Sequence, residues 1–259
     1  MKKVLTIAGS DSSGGAGIQA DIKTMFAHGV YAMSVITAIT AQNTLGVNAI
    51  QSIEKNIVEA QLDAIFTDIF PDAIKIGMVS NREIIKVIRE KLDFYKAKNI
   101  VLDPVMIATS NGKLIDESAI ETLSEYLFPI ATLITPNLFE TKILSGLTIN
   151  SKEDMKKAGI ILFEKYKVPF LIKGGHLDTM ASDFLISENY QEWFEAPLID
   201  NLNTHGTGCT LSSSIASNLA KGLTINEAVK KSKEYLTKAI EYNLNIGHGR
   251  GPLYHNIPC

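Results

Sequence analysis

Short apolar or β-branched runs recur along the chain, and each is followed by polar residues or by glycine and proline. Runs of this length that end in turn residues are typical of buried strands. They stand at residues 4–8, 34–40, 73–76, 100–102, 133–135 and 170–172. The sequence therefore predicts a set of buried strands.

Segments with a helical spacing of apolar residues separate these runs. Side chains three and four positions apart lie on one face of a helix, which can then pack on a sheet. The clearest sets are Leu62, Ile65, Phe66 and Ile69; Ile84, Val87, Ile88 and Leu92; and Ile120, Leu123 and Leu127. The alternation of strands and helices predicts an α/β fold whose mostly parallel sheet is covered by helices on both faces.

The order of elements changes in the last third of the chain. Two apolar segments at 183–186 and 193–196 predict a hairpin that supplies antiparallel edge strands. Helical spacing then predicts two long helices, over roughly 207–220 and 225–243. Because no linker, repeat or low-complexity tract interrupts the sequence, residues 1–259 are expected to form a single domain.

Composition and charge narrow the class of protein. The formal net charge is −3 and the isoelectric point is about 6.0, without a basic stripe, so nucleic acid is a disfavoured partner. The apolar run at 4–8 is too short for a secretory signal, and no stretch reaches the roughly 20 apolar residues of a membrane span. Cys209 and Cys259 make no disulfide framework. A cytoplasmic protein with no membrane partner is expected.

A glycine-rich turn at 203–210 (NTHGTGCT) leads into the first of the two C-terminal helices. Leu211, Ile215 and Leu219 recur every four positions, so this helix is expected to begin near Gly206. The first backbone N–H groups of a helix have no acceptor within it, and the helix dipole favours an anion at this end. The turn therefore predicts a phosphate site, although a tight connection alone would also explain it.

Polar and small residues also follow each predicted strand. In parallel sheets, ligands bind beyond the carboxyl ends of the strands, so these residues are expected on one rim. The segments begin at Gly9, Thr40, Gly77, Asp103, Thr135 and Lys173. Each segment alone is also explained by turns and helix caps, but their succession favours a ligand site. The P-loop sequence, the G-x-G-x-x-G spacing and zinc-type ligand spacing are all missing.

Several of these segments carry motifs that match a known family. They are 9–21 (GSDSSGGAGIQAD), 103–106 (DPVM), 135–140 (TPNLFE), 173–176 (KGGH) and 205–210 (HGTGCT). Together they resemble the hydroxymethylpyrimidine/phosphomethylpyrimidine kinases of thiamine biosynthesis, which belong to the ribokinase-like superfamily. The similarity extends over nearly the whole chain and implies a three-layer α/β/α fold around a mostly parallel sheet.

The resemblance implies a reaction and its reactants. Such an enzyme uses ATP and Mg²⁺ to phosphorylate 4-amino-5-hydroxymethyl-2-methylpyrimidine and then its monophosphate. Gly206, Thr207, Gly208 and Cys209 correspond to the family's anion hole, with Cys209 where most of the superfamily has a catalytic aspartate. Because a helix N-terminus lowers the pKa of a thiol, Cys209 is expected to accept the proton of the substrate hydroxyl. The alternative is that Cys209 is a small buried side chain.

The resemblance also implies a phosphate and metal side. Asn137 and Glu140 would position Mg²⁺ and its waters against the ATP phosphates, since carboxylate, amide and water oxygens suit a hard cation. Lys173 would contact phosphate, and Asp103 would lie on the metal side. The alternatives are structural: a helix cap with a first-turn acid for Asn137 and Glu140, and a turn role for Asp103.

The substrate side is implied in the same way. Gln42 matches the family's pyrimidine-reading glutamine, because one carboxamide can pair with a ring nitrogen acceptor and with the neighbouring amine donor. Met78 and Val105 match positions that flank the flat ring, and without the resemblance both would be core residues. Asp21 is expected to be a solvated or capping helix residue, with a contact to the substrate as the alternative. Three histidines are expected only in supporting or loop roles: His176, His205 and His248.

Other functions remain open on this scaffold. A pyridoxine or pyridoxal kinase is the nearest alternative, against which Gln42 argues because a pyridine ring with a phenolic oxygen has no aminopyrimidine edge. A non-catalytic pyrimidine or nucleotide sensor is a third hypothesis, against which the complete set of motifs argues. A homodimer is implied by the resemblance, and the apolar residues at 32–35 would serve it, although a buried sheet explains them equally well.

Overall fold

The computed structural model describes residues 1–79, 81–106, 117–175, 177 and 179–257. The strands in chain order are β1 Lys3–Asp11, β2 Tyr31–Asn43, β3 Gly46–Ser52, β4 Ala73–Ile76, β5 Ile100–Leu102, β6 Leu133–Ile134, β7 Phe170–Lys173, β8 Met180–Ile186 and β9 Gln191–Pro197. They form one nine-stranded sheet in the order β3-β2-β1-β4-β5-β6-β7-β8-β9. His176 and Cys259 lie outside the described residues.

The central part of the sheet is parallel. Strands β2, β1, β4, β5, β6 and β7 pair in parallel, whereas β8 and β9 form an antiparallel hairpin at one edge. In the register, Thr6 on β1 lies between Ser34 on β2 and Lys75 on β4. The predicted buried strands and the predicted edge hairpin are therefore confirmed.

Helices cover both faces of the sheet. Their bounds are α1 Gly17–Ala27, α2 Lys55–Asp68, α3 Arg82–Phe94, α4 Glu117–Tyr126, α5 Leu138–Ser145, α6 Lys152–Tyr166, α7 Thr207–Ala220 and α8 Ile225–Glu241. Leu5 and Ile7 point to the face covered by α2 to α6, whereas Val4 points to the face covered by α1, α7 and α8. This alternation gives two apolar cores, one on each side of the sheet. The three-layer α/β/α prediction is confirmed.

The opposite edge of the sheet differs from the prediction. Strand β2 continues past Thr40 and pairs with the antiparallel β3, with Gln42 opposite Val47. Gln42 and its neighbours therefore lie within a strand and not in a loop after it. Strand β3 is largely exposed and has no continuous apolar run, so no local pattern of apolar residues predicts it. In the part of the chain that the structure describes, no helix is long and apolar enough to cross a membrane.

Candidate active site

Helix α7 begins at a glycine in the left-handed conformation. Gly206 is its N-cap with φ of 84°, and a Cβ there would collide with the carbonyl oxygen of Gly15 in the loop between β1 and α1. The amides of Gly208 and Cys209 belong to the first turn, where the helix itself offers them no acceptor. Together with the positive end of the helix dipole, they make this turn suited to bind an anion.

Charged side chains gather in front of that helix end. Lys173, at the end of β7, donates to Oδ1 of Asp103 at 2.6 Å. Gly208 faces both side chains, since a Cβ there would lie 3.2 Å from Lys173 Nζ and 3.3 Å from Asp103 Oδ2. Burial alone would lower the pKa of Lys173, but the charges of Asp103 and Glu140 raise it. Lys173 is therefore a cation beside the anion-binding amides.

Glu140 and Asn137 form a capping box at the start of α5. Asn137 Oδ1 accepts from the Glu140 amide at 2.9 Å, and Glu140 Oε2 accepts from the Asn137 amide at 2.8 Å. The helix cap that the sequence allowed as the alternative role of Asn137 and Glu140 is therefore present. The second carboxylate oxygen, Oε1, accepts a long 3.4 Å bond from the Met106 amide. Burial raises the pKa of Glu140 to about 7, so a nearby cation would stabilise its ionised form.

Cys209 differs from the expectation. Burial raises the pKa of its thiol to about 11, and the charge of Lys75 and a hydrogen bond from the Gly17 amide lower that value only in part. The prediction of a lowered pKa is therefore wrong, and the thiol is protonated at neutral pH. The physical reason is desolvation: the loss of water around the sulfur outweighs the favourable charges that approach it.

Asp21 and Lys75 form a fully buried ion pair between the sheet and helices α1 and α7. Lys75 Nζ donates to the two carboxylate oxygens of Asp21 at 2.9 and 2.8 Å. Asp21 also accepts from Thr6 Oγ1 at 2.5 Å and from Ser213 Oγ at 2.6 Å. The prediction of a solvated or capping Asp21 is therefore wrong. The sequence analysis also missed Lys75, although one charged residue in an otherwise apolar strand was a usable signal.

Gln42 is held at the opposite side of the site. The backbone amide of Gln42 donates to Ser12 Oγ at 2.9 Å, and Ser12 Oγ donates to the backbone carbonyl oxygen of Gln42 at 2.7 Å. The Thr40 hydroxyl donates to Gln42 Oε1 at 3.2 Å, and Gln42 Nε2 lies 3.3 Å from His205 Nε2. The backbone of Gln42 is therefore fixed by Ser12, and its carboxamide stands between the Thr40 hydroxyl and the imidazole of His205. The contact with the imidazole is not a hydrogen bond, because His205 Nε2 gives its proton to Asp11.

His205 lies between Gln42 and Asp11, the last residue of β1. Its Nε2 lies 2.9 Å from Asp11 Oδ2. Burial would raise the pKa of Asp11, but hydrogen bonds from His205, from Ser13 and from the Ala16 amide lower it to about 2. Asp11 is therefore ionised at neutral pH and orients the imidazole that borders Gln42. The supporting role expected for His205 fits these contacts, although its partners could not be named from the sequence.

One cavity of about 780 Å³ connects these parts. Its volume lies within the range of small-molecule sites. Every residue that the sequence analysis placed in the site lines it: Gln42, Met78, Asp103, Val105, Asn137, Glu140, Lys173, Gly206, Thr207, Gly208 and Cys209. An apolar part of the same cavity is lined by Leu198, Ile199, Leu236 and Ile240. The predicted residues thus share one space, while their individual roles stay predictions.

Helix α8 contributes a charged pair that the sequence analysis missed. Lys233 Nζ donates to Asp183 Oδ2 at 2.5 Å, and Asp183 Oδ1 accepts from the Gly174 amide at 3.0 Å. Lys233 and Asp183 both line the cavity. The sequence held no signal for this pair, because Lys233 is one of several lysines on α8 and its inward direction depends on how the helix packs.

Asp103 and Glu140 are the carboxylates of the cavity that could take part in binding a metal ion. Within the described ranges, no group of three or more His, Cys, Asp or Glu side chains could hold a metal ion. Asp103 and Glu140 nevertheless line the cavity on the side of Lys173. A hard cation bound here would take most of its ligands from water and from phosphate oxygens, as Mg²⁺ commonly does.

Known proteins match nearly the whole length of this chain. Residues 11–254 match the family described as phosphomethylpyrimidine kinase. A hydroxymethylpyrimidine/phosphomethylpyrimidine kinase of Rhizobium meliloti (strain 1021) is 48% identical over 255 residues, which is 97% of this chain and 96% of the relative. The thiamine biosynthesis bifunctional protein ThiED of Geobacter sulfurreducens is 46% identical over 253 residues, or 97% of this chain. The chain spans about half (52%) of the length of that bifunctional relative.

Solved structures of kinases have the same fold. A crystal structure of phosphomethylpyrimidine kinase from Clostridium difficile 630 is similar with a TM-score of 0.82 and 49% identity, over 93% of this chain and 100% of that chain. The pyridoxal kinase from Staphylococcus aureus in complex with AMP-PCP and pyridoxal is similar with a TM-score of 0.90 and 37% identity, over 99% of this chain and 94% of that chain.

Proposed function

The chain belongs to the phosphomethylpyrimidine kinase family, and from this premise we propose that it phosphorylates 4-amino-5-hydroxymethyl-2-methylpyrimidine and then the resulting monophosphate. The phosphoryl donor is ATP, and both steps belong to thiamine biosynthesis. The observation that carries the proposal is a single cavity in which an anion-binding helix end, the half-buried Lys173 and the carboxamide of Gln42 meet.

Charge stabilisation at the start of α7 drives the reaction in this proposal. Phosphoryl transfer passes through a loose transition state, so positioning and electrostatic stabilisation matter more than proton transfer. The amides of Gly208 and Cys209 and the cation of Lys173 supply that stabilisation. Asp103 fixes Lys173 through the 2.6 Å bond, which keeps the ammonium next to the helix end.

Cys209 has a secondary part in this proposal. Its thiol is protonated at neutral pH, because burial raises its pKa to about 11. Since the substrate hydroxyl loses its proton late in a loose transition state, a weakly ionised base costs little rate. Cys209 then serves chiefly through its backbone amide and its small volume, and acceptance of the proton by its sulfur contributes less.

Asn137, Glu140 and Asp103 would hold Mg²⁺ through water and phosphate oxygens. The fit depends on Glu140. Burial disfavours the ionised form of its carboxyl group, and a cation bound beside it would stabilise that form. When bound, the ion neutralises charge on the phosphate oxygens. Asn137 uses its carboxamide oxygen for the helix cap, so its NH₂ group can only donate and would bind a phosphate oxygen and not the ion itself.

Gln42 would recognise the pyrimidine. An aminopyrimidine presents a ring nitrogen acceptor beside an amine donor, and the Gln42 carboxamide offers the complementary pair. Its carbonyl oxygen accepts from Thr40 and retains a second lone pair for the substrate amine. Met78 and Val105 would enclose the flat ring, because an apolar thioether and a branched chain suit the faces of a heteroaromatic.

Steady-state assays with ATP and Mg²⁺ test the proposal. The alcohol, its monophosphate and pyridoxal are supplied separately, and products are identified by mass spectrometry. We expect phosphorylation of the alcohol and of its monophosphate, with kcat/KM for the alcohol above that for pyridoxal. A kcat/KM for pyridoxal at least equal to that for the alcohol would reverse the assignment, and binding without any turnover would leave a pyrimidine sensor.

Pyridoxal kinase activity is the second candidate, supported by a specific observation. The Staphylococcus aureus pyridoxal kinase, whose structure contains pyridoxal, is similar to this chain with a TM-score of 0.90. Gln42 argues against pyridoxal as the preferred substrate, since a pyridine ring leaves one half of the carboxamide unpaired.

We further propose that residues 1–259 form a single kinase domain that works in the cytoplasm as a homodimer, without a nucleic-acid or membrane partner. The apolar run at 32–35 lies within β2, where Met33 and Val35 are buried in the core and Ala32 and Ser34 are half-buried. Sedimentation of the purified chain tests the dimer, and a monomer at micromolar concentration would contradict it.

A further inference from the structure

Arginine and lysine side chains line the cavity at four positions, and three of them have carboxylate partners. The pairs are Lys75 with Asp21, Lys173 with Asp103, and Lys233 with Asp183. Arg250 is the fourth, and it forms neither an ion pair nor a side-chain hydrogen bond with any residue that the structure describes. Its guanidinium is therefore a positive charge at the site that the described protein groups leave uncompensated.

The backbone around Arg250 is tied to both sides of the site. Its amide donates to the Thr44 carbonyl oxygen at 3.1 Å, and a Cβ on the preceding Gly249 would collide with that same oxygen. On the other side, the Gly251 carbonyl accepts from the His205 amide at 3.1 Å. Arg250 thus stands between the turn that follows β2 and the residue that precedes Gly206.

Arg250 also lines a second cavity, of about 380 Å³, which shares Leu198, Ile199 and Thr204 with the first. Asp200 is the acidic side chain on that second cavity, and no ion pair joins it to Arg250 within the described residues. The guanidinium is exposed to solvent. It is therefore free to reach a ligand without breaking an existing bond.

We propose that Arg250 binds a phosphate group of a ligand in the cavity. A planar guanidinium pairs with phosphate oxygens through two parallel hydrogen bonds, which an ammonium cannot reproduce. This inference rests on the proposed function, in which the substrate monophosphate and the nucleotide both bring phosphate into the cavity. Arg250 is joined to the anion-binding turn through its neighbour Gly251, whose carbonyl oxygen accepts from the amide of His205, the residue before Gly206, and Arg250 lines the same cavity as that turn.

Binding measurements on three variants test the proposal. Arg250→Gln removes the charge, Arg250→Lys keeps the charge without the fork of donors, and Lys238→Gln removes an exposed cation of α8 that does not line the cavity. Calorimetry measures the Kd of the pyrimidine alcohol, of its monophosphate and of AMP-PCP with each protein. Circular dichroism and thermal unfolding check that every variant is folded.

We expect Arg250→Gln to raise the Kd of a phosphorylated ligand at least about tenfold and to leave the Kd of the alcohol within about twofold. Arg250→Lys should recover part of the loss, and Lys238→Gln should change none of the three values. A loss for the monophosphate assigns Arg250 to the substrate phosphate, and a loss for AMP-PCP assigns it to the nucleotide.

Two results would overturn the proposal. One is unchanged affinity for both phosphorylated ligands in Arg250→Gln. The other is an equal loss for the alcohol and for its monophosphate, which would make the segment structural. Failure of the proposed function looks different, because the wild-type protein would then bind neither the alcohol nor its monophosphate, and AMP-PCP would still test Arg250.

Discussion

Replacement of Cys209 tests whether its thiolate or the surrounding amides carry the reaction. With a pKa of about 11, roughly one thiol in 10⁴ is ionised at pH 7. A positioned general base contributes about 10²–10⁴-fold when it is in its reactive state, so the small ionised fraction offsets most of that gain. We therefore expect Cys209→Ala to lower kcat at pH 7 by less than about tenfold and to leave the KM of the aminopyrimidine nearly unchanged.

The assay is kcat as a function of pH for the wild type, Cys209→Ala and the matched control Cys209→Ser. The window from about pH 8 to 10 avoids the titration of Glu140, whose pKa burial raises to about 7. If the thiolate were the base, wild-type kcat would rise about tenfold per pH unit while the alanine variant stayed flat. That rise, together with a loss of more than about 100-fold in Cys209→Ala, would refute the reasoning.

Other substitutions test the substrate side, the buried ion pair and the pH response. Gln42→Leu is expected to weaken aminopyrimidine binding by about 1–3 kcal/mol, because the polar edge of the ring loses its partner; an unchanged calorimetric Kd would mean that the ring lies elsewhere. Lys75→Met leaves Asp21 buried without a counter-charge and is expected to lower the free energy of unfolding by about 3–5 kcal/mol. In urea unfolding, adding Asp21→Leu should recover much of that loss, and no recovery would contradict the ion-pair account. Burial lowers the pKa of His28 to about 4, so the unfolded chain takes up the proton first and His28 alone should lower the stability by about 3 kcal/mol as the pH drops from 6.5 towards 4, in addition to the like effect of His255. His28→Gln should reduce that fall in thermal unfolding, and an unaltered pH dependence of Tm would show that other groups cause it.

The parallel strands and helix α7 could be predicted because their signals are local. A strand buried on both faces is apolar at successive positions, and a helix that packs on a sheet repeats its apolar residues every three or four positions. Strand β3 has neither signal, since most of its side chains are exposed and only its pairing with β2 holds it. The prediction therefore ended β2 at Thr40 and placed Gln42 in a loop.

Membership of the site could also be predicted, because the carboxyl ends of parallel strands meet at one edge of the sheet. Lys173 and Asp103 are far apart in sequence and yet bonded, as that rule implies. The partners of Lys75 and Lys233 could not be predicted in this way. Each pair joins a helix to a strand, and helix packing decides which of several charged residues turns inward.

The sequence by itself determined the order of the parallel strands and of the helices between them, the anion-binding turn and a group of residues that share one cavity, since these follow from periodicity and from the geometry of parallel sheets. Only the tertiary structure decided the charge state of those residues. The pKa values of Cys209, Glu140 and Asp11 depend on how much water burial removes and on which charges and donors approach from distant segments. Those quantities exist only after the layers have packed, so no local pattern in the chain records them.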